Sequence, residues 1–232
     1  LTVLEADEST RYLVLEMGAS GAGHIAYLTD IAPLDAAAVL MIGHAHMGGF
    51  GSIEGVAAAK AEIIAGLLPE GTAILNADDA RCAAMAELAP ARVLTFSAQG
   101  EPADLQAENV VLDEAACAAF DLHLPGLDAP RRVQLAVAGA HNVANALAAA
   151  GLALAAGLEP ELIAERLGSV SIESPHRMDV SELSGDLLLI DDSYNANIDS
   201  MTAALAALPA LAGSRRRVVV VSEMLELGES SA

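Results

Sequence analysis

Short apolar runs alternate along this chain with alanine-rich stretches of helical length. The runs lie at residues 12–15, 38–42, 72–75, 92–96, 187–190 and 217–221. Continuous apolar runs are typical of strands that helices cover on both faces, as in parallel sheets. The pattern therefore predicts an α/β fold, with a mostly parallel sheet flanked by helices.

The pattern changes between about residues 100 and 137, where short segments broken by Pro and Gly predict a small antiparallel addition. Two helices are predicted next, over residues 141–156 and 160–167, and each is followed by a glycine. Residues 169–177 form the predicted linker. We therefore expect a first domain over residues 1–174 and the start of a second, Rossmann-like domain over residues 175–232.

Composition restricts the partners of this protein. The 232 residues carry a formal net charge of −21, which argues against nucleic-acid binding because phosphate contacts need clustered Lys and Arg. No apolar run reaches the roughly 18 residues of a membrane-spanning helix, and Cys82 and Cys117 match no metal-binding spacing. We expect a cytoplasmic protein with reduced thiols and no membrane insertion. Because the chain starts without Met and ends soon after a predicted strand, we also expect it to be part of a longer protein.

One basic residue stands out, because Lys60 is the only lysine in the chain. It lies in AAAKAEII, on a helix predicted to begin near Ser52, after a Gly-rich turn that contains His44 and His46. A partly desolvated lysine has a lowered pKa and more neutral amine, which is the form that reacts with carbon dioxide to give a metal-binding carbamate. The alternatives are a lysine that extends to solvent and a His pair that is only a loop feature.

Other polar residues lie next to predicted strands and helices. Glu16 directly follows the run at 12–15, where a carboxylate can hold a metal or cap the next loop. Asn142 and Asn145 share one face at the start of the long helix, where amide groups can read an adenine edge. The alternative for Asn142 is simple capping of that helix.

A polar segment also follows the run at 187–190, and it places several side chains at the expected edge of a ligand crevice. These are Asp191, Asp192, Tyr194, Asn195 and Asn197. The alternative for Asp199 or Ser200 is simple capping of the helix that follows.

Together these segments resemble the Mur ligase family. The matching motifs read LEMG, MIGHAHMGGFGS, AKAEI, LNADD, HNVANALAA and DDSYNANIDSM, in the family's order and over nearly the whole chain. The resemblance implies the central ATPase domain of such a ligase followed by the start of its C-terminal domain, in a monomeric protein. It is strongest to members that add D-alanyl-D-alanine to UDP-N-acetylmuramoyl-tripeptide in peptidoglycan synthesis.

The resemblance also implies a chemistry and a role for each candidate residue. Such ligases use ATP to convert a carboxylate into an acyl phosphate, which an amine then attacks, while Mg²⁺ neutralises the transferring phosphoryl group. Glu16, His46 and Lys60 are the implied metal ligands, with Lys60 carbamylated, and Lys60 and His46 are the implied catalytic residues.

The implied nucleotide contacts come from both domains. Asn142 and Asn145 would face adenine, and the remaining nucleotide contacts would be Asn76, Asp78, Arg177, Asp192 and Tyr194, with Arg177 at the hinge. Asn195 and Asn197 would face the amine substrate.

The sequence departs from the family's pattern at Met41, Gly48, His176 and the pair Ser222 and Glu223. It also contains no phosphate-binding G-x-x-x-x-G-K-S/T motif, because the only lysine lies between two alanines. We therefore expect this chain alone to be inactive.

Two alternatives remain open. An amidohydrolase-like enzyme also combines an HxH pair with a carbamylated lysine, but it needs further ligands, and His123 and His141 do not follow predicted strands of the sheet. A non-catalytic remnant is the other alternative, and Met41, Gly48 and Ser222 favour it.

Overall fold

The computed structural model describes residues 2–43, 50–170, 176–222 and 224. Six strands form one sheet in the order of the chain. They are β1 (Leu34–Val39), β2 (Leu67–Asn76), β3 (Arg92–Ser97), β4 (Leu105–Leu112), β5 (Cys117–His123) and β6 (Arg131–Ala138). Strands β1 to β4 are parallel, while β5 is antiparallel to both β4 and β6. The predicted mostly parallel sheet with an antiparallel addition is confirmed.

Helices cover both faces of this sheet. They are α1 (His24–Ile31), α2 (Ile53–Ala65), α3 (Ala80–Ala84), α4 (Asn142–Ala155) and α5 (Pro160–Leu167), with 3₁₀ turns at Thr2–Glu5 and Met85–Leu88. The α2 helix begins after Ser52, whose side chain accepts a hydrogen bond from Gly55 N at 3.1 Å. The predicted start near Ser52 is therefore confirmed, and α5 has its predicted bounds.

Alternation along the strands divides the core between the two faces. Ile74 packs toward α4 together with Phe96 and Leu147, whereas its neighbour Leu75 packs toward α2 with Ile64. Successive residues of a strand point to opposite faces, so one strand contributes to both clusters. Each fully buried side chain of this size contributes about 1.5–3 kcal/mol through burial. Among the described residues, no helix is long and apolar enough to cross a membrane.

The C-terminal part contains a hairpin and a helix. Strands β7 (Asp179–Leu183) and β8 (Leu187–Asp191) pair antiparallel, and α6 (Ile198–Ala212) follows. The strand predicted at 187–190 is confirmed, but it is not a buried parallel strand, since Leu187 and Leu189 are about half exposed. The short turn between the two strands contains Gly185 at φ 82, and a connection this short permits only antiparallel pairing.

Two other predicted strands are absent. Residues 12–15 and 217–221 form no strand, and neither segment is paired with another strand within the described part of the chain. Val14 is 83% exposed and Val220 is 93% exposed. Strand preference in valine-rich segments reflects packing and pairing rather than the isolated backbone, so it is lost without a neighbour. The expectation that Glu16 directly follows a buried strand is therefore wrong.

Candidate functional site

Three side chains hold the backbone that follows β1, at the carboxyl edge of the parallel strands. We call Lys60, Asn76 and Asp79 the lysine cluster. Its hydrogen bonds run from Asn76 Nδ2 to Leu40 O (2.8 Å), from Lys60 Nζ to Met41 O (2.9 Å) and from Ile42 N to Asp79 Oδ2 (2.8 Å). Three consecutive residues are thus fixed by side chains from α2 and from the end of β2.

The amine of Lys60 does not simply extend into solvent. The side chain is partly buried and its nitrogen donates to a main-chain carbonyl. Burial lowers the pKa of Lys60, and the nearby Cys82, Asp79 and Asp199 offset part of this effect. Burial also raises the pKa of the Cys82 thiol to about 12, so that thiol is neutral at physiological pH. A lowered lysine pKa increases the fraction of neutral amine, which is what carbamate formation requires.

The two residues of the LNADD motif with implied nucleotide roles are engaged in local structure. Asn76 is buried, and its Oδ1 accepts from Asp78 N at 2.9 Å. The carboxylate of Asp78 accepts from Ser97 Oγ at 2.5 Å and from Ala98 N at 2.8 Å. Both residues therefore lie at the carboxyl edge and hold the ends of β2 and β3 together, while their nucleotide contacts stay predictions.

Asp79 was missed by the sequence reasoning although its motif was quoted. It caps α3, because its Oδ1 accepts from Arg81 N at 2.9 Å and from Cys82 N at 3.4 Å. Its second oxygen binds Ile42 N. An aspartate just before a short helix is an ordinary capping signal, which could have identified the first role but not the contact with β1.

The second domain reaches the same place through the first turn of α6. A Cβ atom at Gly43 would lie only 2.6 Å from Asp199 Oδ2, so the carboxylate packs directly against this glycine. Asp199 also lies near enough to Lys60 to influence its charge. The carboxyl end of β1 is therefore where the N-terminal end of α6 meets the first domain.

The cap of α6 is neither of the two residues that the sequence suggested. Asn197 is the cap, since its Oδ1 accepts from Ser200 N at 2.8 Å, and Asn197 N donates to Ser200 Oγ at 3.0 Å. Ser200 thus completes a capping box and Asp199 lies inside the helix. Asn195 Oδ1 accepts a hydrogen bond from the adjacent Ala196 N at 2.8 Å. The substrate contacts of Asn195 and Asn197 stay predictions.

A second group, which we call the hinge cluster, joins residues at the start of the second domain. It consists of His176, Arg177, Asp191, Asp192 and Tyr194. Its contacts are His176 Nδ1 to Asp191 Oδ2 (2.8 Å), Met178 N to Asp192 Oδ1 (3.0 Å), Tyr194 N to His176 O (3.0 Å) and the Arg177 guanidinium over the Tyr194 ring (4.2 Å). The hydrogen bond from His176, followed by those from Ser193, lowers the pKa of Asp191 to about 2.

The start of α4 carries the two residues with an implied adenine role. Asn142 is the first residue of α4 and His141 occupies the cap position, so the capping alternative for Asn142 is wrong. Asn142 Nδ2 donates to Ala138 O at 2.8 Å, and its Oδ1 accepts from Asn145 Nδ2 at 2.9 Å. Asn145 is exposed and keeps one N–H and its amide oxygen for a ligand.

The hinge cluster lies beside this helix start. Burial lowers the pKa of His141, and the nearby Asp192 carboxylate opposes that shift. The start of α4 therefore lies near Asp192, one of the second-domain residues with an implied nucleotide role.

The predicted metal ligands are only partly within the described residues. Glu16 is exposed and lies in a loop, while His46 lies outside the described residues, as does His44. Within the described ranges, no group of three or more His, Cys, Asp or Glu side chains is arranged to hold a metal ion. His123 instead pairs with Glu108, with Nε2 and Oε2 3.2 Å apart, in the antiparallel part of the sheet.

Two sections of the chain match models of protein domains. Residues 1–153 match the Mur ligase middle domain, and residues 176–232 match the Mur ligase glutamate ligase domain. The chain is 45% identical to the UDP-N-acetylmuramoyl-tripeptide--D-alanyl-D-alanine ligase of Mycobacterium tuberculosis, over 99% of this chain and 45% of that protein. It is 38% identical to the Escherichia coli protein of the same name, over 100% of this chain and 50% of that protein. The chain thus spans about half the length of the curated relatives it matches.

Solved structures agree with these relatives. MurF from Acinetobacter baumannii superimposes with a TM-score of 0.89 at 37% identity, covering 99% of this chain and 49% of that one. MurF ligase from Thermotoga maritima, in complex with ADP, superimposes with a TM-score of 0.76 at 29% identity, covering 94% of this chain and 48% of that one. The domain matches, the sequence identities and the shared fold lead to one conclusion: this chain belongs to the Mur ligase family.

Proposed function

We propose that this chain carries the lysine and metal side of the ATP site in a ligase that joins D-alanyl-D-alanine to UDP-N-acetylmuramoyl-tripeptide through an acyl phosphate. The main support is the 45% identity, over 99% of the chain, to a protein named for that reaction. The lysine cluster supports it independently, because it holds the only lysine at the carboxyl edge of a parallel sheet, where ligands of such sheets bind.

Lys60 is proposed to react with carbon dioxide through its neutral amine. The nitrogen lone pair forms a bond to the carbon of CO₂ while one C=O π pair moves onto oxygen. One N–H proton is released to solvent, and the product is a carbamate anion. The lowered pKa of Lys60 favours this reaction. The carbamate nitrogen keeps one N–H, so the hydrogen bond to Met41 O can persist while the new oxygens point away from it.

The proposed donor set suits magnesium only after that modification. Mg²⁺ prefers oxygen ligands, which the Glu16 carboxylate and a Lys60 carbamate provide, whereas an ammonium group repels a cation. His46 is the third proposed ligand. Magnesium, when bound, supplies neutralisation of the charge on the transferring phosphoryl group.

The nucleotide is proposed to lie between the two domains. The remaining N–H and the amide oxygen of Asn145, which the hydrogen bond to Asn142 holds in place, are suited to an adenine edge. Further nucleotide contacts are proposed for Asn76, Asp78, Arg177, Asp192 and Tyr194, and amine-substrate contacts for Asn195 and Asn197. The proposed boundary between residues 174 and 175 falls between the two matched domains.

The deciding experiment is a chimera. Residues 1–232 replace the matching part of the Mycobacterium tuberculosis relative, and ATP-dependent ligation of D-alanyl-D-alanine is measured with each substrate varied. We expect product, and a loss of about 100-fold or more in kcat with Lys60→Ala, as for removal of a major electrostatic group. Adding Ala58→Lys, on the exposed face of α2, should not restore activity. A folded chimera that makes no product would refute the proposal and favour a non-catalytic remnant.

The unmodified chain provides a complementary test. It contains no phosphate-binding G-x-x-x-x-G-K-S/T motif, so we expect no ligation from ATP, D-alanyl-D-alanine and the tripeptide nucleotide. Product formation by this polypeptide would contradict that expectation. We further propose that the protein is a monomer and acts in the cytoplasm on small molecules. Sedimentation of the purified chain tests whether it is a monomer.

A further inference from the structure

Helix α1 receives its N-terminal cap from a distant residue. Its own cap position is Gly23, which has φ 82 and no side chain to accept a hydrogen bond. Glu62 of α2 takes that place: Gly23 N donates to Oε1 at 2.6 Å and Ala26 N donates to Oε2 at 3.0 Å. Free N–H groups at a helix start need acceptors, and a carboxylate is the strongest one available in a protein. Both oxygens of Glu62 are therefore used to hold α1.

Glu62 and Lys60 act in different directions from the same helix. Residues two positions apart in an α-helix are separated by about 200° of rotation. The side chains of Lys60 and Glu62 therefore leave α2 on nearly opposite sides. Lys60 faces the end of β1 and Glu62 faces α1. The position of α1 relative to Lys60 is thus determined through one short, rigid piece of helix.

A second contact holds the other end of α1. A Cβ atom at Gly66, just after α2, would lie 2.3 Å from Thr29 Oγ1, so the two segments touch there without a side chain between them. Thr29 is buried at this contact. Helix α1 is therefore held at both ends. Glu62 holds its N-terminal end, which is the end nearer to Glu16 in the sequence.

The position of the loop between Glu16 and α1 depends on the N-terminal end of α1, which Glu62 holds. The loop contains Gly18, Gly21 and Gly23, which restrict the backbone little. Within the described residues, two hydrogen bonds join this loop to α1: Ser20 N donates to His24 Nδ1 at 3.3 Å, and Tyr27 N donates to Gly23 O at 3.0 Å. Because residues 12–15 form no strand, the sheet does not fix Glu16 either.

We propose that Glu62 is a positioning residue, which fixes the loop carrying Glu16 to the helix carrying Lys60. This inference rests on the proposed function in so far as Glu16 and Lys60 serve one metal site. A metal ligand must be held in place by neighbouring hydrogen bonds, and loss of such support weakens metal binding by about 10- to 100-fold in other sites. Glu62 provides that support without touching the metal.

The test compares Glu62→Ala and Glu62→Gln with Glu70→Ala, which removes the same charge from an exposed position. Amide hydrogen exchange is followed by NMR. We expect Glu62→Ala to speed exchange at Gly23 and Ala26 by about tenfold or more while amides in the middle of α2 keep their protection, which marks local release rather than unfolding. Glu62→Gln keeps one acceptor oxygen, so one of the two amides should stay protected.

Mn²⁺ affinity is measured on the same three variants by electron paramagnetic resonance, in bicarbonate buffer. We expect about a tenfold weaker affinity in Glu62→Ala, a smaller loss in Glu62→Gln and none in Glu70→Ala. Unchanged exchange at both amides, or a released loop with unchanged Mn²⁺ affinity, would overturn the inference. If the unsubstituted chain binds no Mn²⁺, the proposed metal site fails, and amide exchange alone decides whether Glu62 fixes the loop.

Discussion

The lysine cluster and the hinge cluster both hold a group with a lowered pKa, but for opposite reasons. Burial lowers the pKa of Lys60, which makes the amine lose its charge more easily. Hydrogen bonds from His176 and Ser193 lower the pKa of Asp191 to about 2, which makes the carboxylate keep its charge. The same direction of shift therefore favours the neutral form of the amine and the charged form of the carboxylate.

The two clusters also differ in what they hold together. In the lysine cluster, side chains bind the main chain beside a packed core, and a lost contact at Asn76 or Asp79 leaves a partly buried polar group without that partner. In the hinge cluster, several contacts join exposed side chains, and water can replace a lost partner. Substitutions in the lysine cluster should therefore cost more stability than those in the hinge cluster.

Asp79→Ala should give the largest effect. It removes both the cap of α3 and the acceptor for Ile42 N, and the two losses together should lower the free energy of unfolding by about 3 kcal/mol. Urea denaturation followed by circular dichroism measures it. Glu70→Ala, at an exposed position, should change stability by less than about 0.5 kcal/mol. An equally small change for Asp79→Ala would remove the contrast between the clusters.

Asn76→Ala should follow, with a loss of about 2 kcal/mol in the same measurement. The substitution removes a buried side chain and leaves Leu40 O and Asp78 N without their partner in a partly buried place. Asn76→Asp keeps the acceptor but not the donor, so it separates the two contributions. A loss in Asn76→Ala no larger than in a hinge substitution would contradict the account of burial given above.

Lys60→Met tests the pH dependence of the lysine cluster. The pKa of Lys60 in the folded chain lies below 10.5, its value in the unfolded chain. At pH values between the folded and the unfolded pKa, the unfolded chain binds more protons than the folded chain. The stability of the parent should therefore rise with pH across that window. Lys60→Met should lack this rise, and every unit of pKa separation corresponds to about 1.4 kcal/mol. Urea denaturation of both proteins from pH 7 to 10.5 measures the difference. Parallel stability curves would show that Lys60 is not desolvated.

Arg177→Ala should have a smaller effect, in the hinge cluster. The guanidinium stacks on Tyr194 at an exposed place, so its removal should cost about 0.5–1 kcal/mol. Thermal unfolding measures the change, and Arg166→Ala, on α5, serves as the arginine control. A loss as large as that of Asn76→Ala would indicate that the hinge is more tightly coupled to the core than its exposure suggests.

His176→Phe should have the smallest effect on stability and a clear effect on titration. NMR of the Asp191 carboxyl carbon should give a midpoint near 2 in the parent and one closer to 3.8 in the variant. Since the folded pKa is depressed, the associated stability is present above pH 3.8 and is lost as the pH falls toward about 2. An unchanged midpoint would show that His176 does not supply the main hydrogen bond.

Local patterns in the sequence were sufficient for the elements that depend on neighbouring residues. The start of α2 after Ser52 and both ends of α5 follow from capping and periodicity within a few residues. The apolar runs at 38–42, 72–75 and 92–96 also indicated β1, β2 and β3, which pair with one another. The order of the motifs along the chain was sufficient to indicate the family.

Contacts between residues distant in the sequence were decided only by the tertiary structure. Asp79 binds the backbone 37 residues before it, and Glu62 binds the cap residue of α1, 39 residues before it. Neither contact leaves a local sequence signal. Residues 12–15 and 217–221 read as strands but form none, because a strand requires a paired neighbour that periodicity does not reveal. The sequence alone determined the fold class, the family and the identity of Lys60 as a candidate, while the surroundings that lower its pKa depend on packing.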